Sequence, residues 1–222
     1  EKVLLHTPEG VRDVYGKECA VKLTIENSIN KVFNIYGYHN IQTPTFEFFD
    51  IFSKERGSVA SKNLYKFFDR EGNTLVLRPD VTPSIARLVA KYYMDVKVPV
   101  KLCYNANTYI NNSELQGKLK ENTQLGCELI NDDSVEADAE ILALVVDSLK
   151  AAGLKEFLVE IGHADFYKGL LEECGFDTEN EQELRKRIEN KNYFGVEEIL
   201  DNNNITGQLK EAFLKLPELF GS

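Results

Sequence analysis

The chain has no tryptophan, one methionine and three histidines in 222 residues. The histidines, His6, His39 and His163, are scattered, and none has a serine or cysteine nucleophile near it in sequence, which argues against a catalytic triad. The four cysteines, Cys19, Cys103, Cys127 and Cys174, form no C-x-x-C pair and no tight Cys/His spacing. They read as reduced thiols, with no metal site and no disulfide framework. No apolar run approaches the roughly 20 residues of a membrane span. The opening "EKVLLHTPEG" lacks both a basic n-region and a long apolar h-region, so a cytoplasmic location is expected.

Positive charge is also scarce. Against 36 acidic residues stand 26 Lys and Arg, a formal net charge of −10, and a field of that sign repels a phosphate backbone. Neither nucleic acid nor a membrane is therefore an expected partner. Neither G-x-x-x-x-G-K-[ST] nor G-x-G-x-x-G occurs, which removes P-loop and Rossmann nucleotide chemistry, and no cofactor is expected.

What remains is an ordinary globular composition, 43% apolar and 28% charged, in a chain long enough to bury a full core. From Lys17 to Tyr36, apolar residues recur mostly at three or four and predict a helix stopped by Gly37. "YHNIQTPTFEFFDIF" reads as extended, with Pro44 barred from a central strand because it lacks an N–H. "LYKFFDREGNTLVLRP" predicts a hairpin around Glu71-Gly72-Asn73, and Pro83 opens a short helix carrying Ile85, Leu88, Val89 and Tyr92. "VPVKLCYNANTYI" and "ENTQLGCELI" predict two strands joined by a polar loop. Asp133-Ser134 caps a helix closed by Gly153, and "EFLVEIG" predicts a short buried strand. From Ala164 onward the pattern is helical throughout. The expected class is α+β, with residues 1–163 as the main domain and 164–222 as a small helical subdomain.

Three constellations could carry chemistry. Asp80 and Thr82, between a strand end and a helix, can orient an ammonium group or cap that helix. Gln124 and Glu128, four apart on a strand, project to one face beside Gly126, as exposed polar alternation also would. Lys118 and Lys120, across the loop from Asn111, Asn112 and Glu114, offer two point charges to a phosphate, or form a solvated loop. Neither lysine has the bidentate fork of arginine.

In this order, "TPEGVRDVYGKE", "GYHNIQTPTFE", "LVLRPDVTPSIARLVA", the hairpin of residues 100 to 130, "VEADAEILALVVDSLKAAGL" and "FLVEIGHADFYKGLLEECGF" resemble the histidyl-tRNA synthetase catalytic domain. They resemble more closely its non-catalytic relative, the regulatory subunit of ATP phosphoribosyltransferase. The resemblance implies a class II synthetase-like antiparallel sheet flanked by helices, with a helical insert. It further implies that Asp80, Thr82 and Gln124 contact the ammonium group of histidine while Glu128 faces the imidazole, and that Pro44 lies near a homodimer interface.

The synthetases carry F-R-x-E at the end of the first strand of this hairpin, where the arginine binds the α-phosphate and the amino-acid carboxylate. The acid helps to hold adenine. The matching stretch here is Tyr109-Ile110-Asn111-Asn112, so Ile110 replaces the arginine and Asn112 the acid, and Lys118 and Lys120 are the remaining basic loop residues. A fixed cation at a developing phosphate charge contributes several kcal/mol, about 3 by the usual magnitude, and isoleucine supplies none of it.

The resemblance thus implies a non-catalytic subunit that pairs with a short-form ATP phosphoribosyltransferase catalytic subunit, as a homodimer within a hetero-oligomer, with free histidine as a ligand. The segment normally contacting histidine after the insert and the third class-defining motif are missing, which implies a C-terminally shortened chain. The rival readings are a fragment of a divergent histidyl-tRNA synthetase that activates histidine with ATP, and a free-standing histidine sensor.

Overall fold

A computed structural model describes residues 5–53, 59–112, 117–162 and 164–216. The chain divides into two compact units, Glu1–Phe157 and Leu158–Ser222. That division falls a few residues before the change of pattern read at Ala164.

In the first unit, helix α1 (Gly16–Ile35) leads through Gly37, whose positive φ of 83° suits glycine, into strand β1 (His39–Asn40). Strand β2 (Phe46–Phe48) and helix α2 (Asp50–Ser53) follow. The helical turn at Asp50–Ser53 departs from the extended reading of that stretch, because Phe52 turns inward onto Leu64 and Val76. Strands β3 (Lys66–Phe68) and β4 (Thr74–Leu77) form the expected hairpin, with Gly72 at φ 86° in its turn. Helix α3 (Thr82–Tyr92) has proline in its first turn, as the sequence indicates.

The long strands β5 (Val100–Tyr109) and β6 (Glu121–Ile130) pair antiparallel along their whole length, and β1 runs parallel to β5 on its other edge. A second sheet has the order β2-β4-β3. The β1–β5 pairing is the one parallel pairing among the described strands, in sheets that are otherwise antiparallel as expected.

Alternation along β5 builds two cores. Val100, Leu102 and Tyr104 point to one face and pack on Val81 and Ile85 at the start of α3. Cys103 points to the other, among Phe33, Tyr38 and Leu144. Leu144 belongs to helix α4 (Val135–Ala151), whose first turn is capped by Ser134, its hydroxyl accepting from the Ala137 N–H at 3.2 Å. One sheet thus has helices on both faces, and the α3 face carries the polar residues singled out from sequence.

Arg78, only 5% exposed, ties this unit together. Its guanidinium donates to the carbonyls of Asn107 (2.8 Å), Thr43 (2.9 Å) and Pro44 (3.1 Å) and to the Thr43 hydroxyl (3.1 Å). Burial lowers its pKa, and carbonyl oxygens rather than a carboxylate satisfy the charge.

The stretch "EFLVEIG" is not a strand. Residues 154–162 adopt no regular structure, with Leu158 at 83% and Ile161 at 73% exposure. A strand depends on partners that local pattern does not supply, and none of the described strands pairs with it. The second unit contains α5 (Ala164–Cys174), α6 (Thr178–Glu189), α7 (Tyr193–Asn202) and α8 (Gly207–Lys215) around Leu184, Val196, Leu200 and Phe213. Among the described residues, no helix is long and apolar enough to cross a membrane.

Candidate functional site

The residues singled out from sequence meet on the α3 face of β5 and β6. Register places Ala106 opposite Gln124, Tyr104 opposite Gly126, and Leu102 opposite Glu128, so the even-numbered side chains of both strands share that face. Thr82, the first residue of α3, donates its hydroxyl to Glu128 Oε1 at 2.7 Å. Capping does not account for Thr82 or Asp80. Val81 is the N-cap residue and makes no side-chain cap bond, and Asp80 Oδ1 accepts from the adjoining Val81 N–H at 2.7 Å.

Tyr104 is the member that the sequence reading missed. It is 4% exposed and lies across Gly126, where a Cβ would run into the phenol ring. The signal was present as an aromatic residue opposite a glycine, but it required the strand register. Gly126→Ala is expected to displace this ring and cost about 1–3 kcal/mol, measured as a lower urea midpoint.

Burial holds the Glu128 carboxyl above its ordinary range, Asp80 adds repulsion in the same direction, and the Thr82 hydroxyl opposes both. Burial, then Glu128 and Asp80, push the Tyr104 phenol up to about 12. Among the described residues no lysine or arginine pairs with Asp80 or Glu128. Between the ordinary and the raised carboxyl pKa, the folded protein keeps a proton that the unfolded chain has released. Glu128 therefore lowers stability as pH rises through that window. Glu128→Gln is expected to flatten this part of the stability profile, measured by urea denaturation across the acidic range.

The loop positions are placed differently. Ile110 N–H donates to the Lys120 carbonyl at 2.9 Å, Asn112 N–H to the Ile110 carbonyl at 2.9 Å, and Asn112 Nδ2 to the Leu119 carbonyl at 3.5 Å. Lys120 N–H donates to the Gly10 carbonyl at 2.7 Å, and the lysine stem lies where a Cβ on Gly10 would be. Lys118 is exposed. Glu114 and His163 lie outside the described residues. Pro44 is exposed beside an apolar groove lined also by Phe46, Phe48 and Leu75, with Phe46 and Phe67 in edge contact at 5.7 Å. Among the described residues, no three His, Cys, Asp or Glu side chains group as metal ligands.

The helix-flanked antiparallel hairpin is a fold shared with known proteins. The histidyl-tRNA synthetase family model matches residues 10–222, and the chain belongs to that family. The relatives within it are more specific. The chain is 46% identical over 218 residues to an ATP phosphoribosyltransferase regulatory subunit of Ruminiclostridium cellulolyticum, covering 98% of the chain and 52% of that protein. It is 43% identical to the corresponding subunit of Acetivibrio thermocellus, with the same coverage. A solved Bacillus halodurans structure, described as an ATP phosphoribosyltransferase regulatory subunit/histidyl-tRNA synthetase, superimposes with a TM-score of 0.85 at 36% identity, over 97% of this chain and 56% of that one. The chain thus spans about half the length of the relatives it matches.

Proposed function

We propose that this chain belongs to a non-catalytic regulatory subunit of ATP phosphoribosyltransferase, which enables the first step of histidine biosynthesis and takes part in its feedback inhibition by histidine. The observation that carries the reading is the contrast between two ends of one hairpin. At one end Thr82 donates to Glu128 beside Asp80 and Tyr104, and neither acid pairs with a lysine or arginine among the described residues. At the other, Ile110 and Asn112 match, by the resemblance, the positions where the synthetases place an arginine and an acid, so on this reading adenylation lacks its phosphate cation. The names carried by the relatives support the same reading.

In this proposal Asp80, Thr82 and Gln124 receive the ammonium group of histidine, and Glu128 receives the imidazole. Lys118 and Lys120 are remnants of a phosphate-binding loop. Residues 164–222 form the helical insert of a synthetase-type domain. The partner is a short-form catalytic subunit, met by a homodimer that joins through the exposed Pro44, Phe46 and Phe48 surface.

The test is reconstitution. The protein is expected to copurify with the short-form catalytic subunit and raise its activity from a low baseline, while showing no histidine-dependent exchange of pyrophosphate into ATP. A clear exchange signal would instead identify a histidine-activating synthetase. Histidine stabilisation without any copurification would identify a free-standing sensor.

A further inference from the structure

Cys103 and Cys127 stand 24 positions apart in sequence, yet they are direct partners in the β5–β6 register. The neighbouring contacts define what kind of partners they are. The Cys103 carbonyl accepts from the Ile41 N–H at 2.9 Å on the β1 side, and the Tyr109 N–H likewise donates away from β6, to the Arg78 carbonyl at 2.9 Å. The Ile110 N–H, one residue further on, donates inward to the Lys120 carbonyl. Within a strand, N–H and C=O of one residue point to the same side, so the odd residues of β5 direct their backbone away from β6. Cys103 and Cys127 are therefore a non-hydrogen-bonded antiparallel pair, the kind whose Cα atoms approach to about 4.5 Å and whose side chains are closest.

That separation lies within the roughly 4.4–6.8 Å over which a disulfide closes. Both side chains point to the same face of the sheet, towards α1 and α4, and both thiols are free. Cys103 is completely buried and its thiol makes one weak contact, donating to Asn40 Oδ1 at 3.5 Å. Cys127 is part-exposed.

We infer that Cys103 and Cys127 form a thiol–disulfide modification site, in which a peroxide oxidises the accessible Cys127 and Cys103 resolves it into a cross-strand disulfide. In the first step the Cys127 sulfur displaces water from hydrogen peroxide and becomes a sulfenic acid. In the second the Cys103 sulfur attacks the Cys127 sulfur, its proton leaves with the hydroxyl as a second water, and the S–S bond forms. Peroxide is reduced by two electrons and the two thiols are oxidised by two.

Burial raises both thiol pKa values, that of Cys127 to about 11, so the thiolate is scarce near neutral pH and the first step is slow. Resolution is favoured by contact, because a sulfenic acid formed at Cys127 faces Cys103 before any external thiol. The disulfide would fix the hairpin that carries Tyr104, Gln124 and Glu128 from the face opposite those residues.

The test is intact-mass analysis and disulfide mapping of the whole chain after hydrogen peroxide treatment and alkylation. The expected result is a mass lower by two hydrogens and a peptide pair linking Cys103 to Cys127. The link should survive in Cys19→Ser and Cys174→Ser and disappear in Cys127→Ser, whose folding is checked by circular dichroism. Added oxygens on Cys127 with Cys103 still alkylated on denaturation would overturn the inference, as would links through Cys19 or Cys174, or no reaction at all.

Discussion

Replacing Arg78 with methionine is expected to cost the first unit about 3 kcal/mol or more, because three carbonyls lose their donor and each such buried group left unpaired costs about 1–3 kcal/mol. Methionine fills much of the volume and restores apolar packing, but it donates nothing to Asn107, Thr43 or Pro44. Lysine keeps the charge without the planar fork, so Arg78→Lys should fall between the two. Urea denaturation of the three proteins checks the order. A methionine variant within about 1 kcal/mol of the parent would mean that water or a shifted backbone satisfies those carbonyls.

Glu128→Gln is expected to weaken histidine binding by about tenfold to a hundredfold. A charged hydrogen bond in a part-buried site contributes roughly 1.5–3 kcal/mol, and each 1.4 kcal/mol is a factor of ten in affinity. Asp80→Asn should give a similar loss through the ammonium group. Lys118→Ala, on the exposed loop, should give little. Isothermal titration with histidine distinguishes them, and unchanged affinity in both acid variants would move the ligand elsewhere.

Local signals made much of the fold legible. Gly37 and Gly72 adopt the positive φ values that only glycine takes easily, and Ser134 and Pro83 begin helices where the sequence places them. The failures were non-local. "EFLVEIG" has the composition of a strand, but pairing depends on another segment. Asp50–Ser53 turned helical because of where Phe52 packs. At the site, the four-residue spacing of Gln124 and Glu128 correctly put them on one face, but Tyr104 required the register of the opposite strand, and the Thr82 bond to Glu128 spans 46 positions. Cys103 and Cys127 were hidden for the same reason, since their spacing resembles no motif until the strands are laid side by side.

In the proposed histidine site, Asp80 and Glu128 also set what kind of ligand is favoured. Neither acid pairs with a lysine or arginine among the described residues, so these two side chains favour a ligand for its positive charge. Histamine, which is histidine without its carboxylate, keeps both groups that the proposal assigns to these acids and is expected to compete with histidine in the same titration.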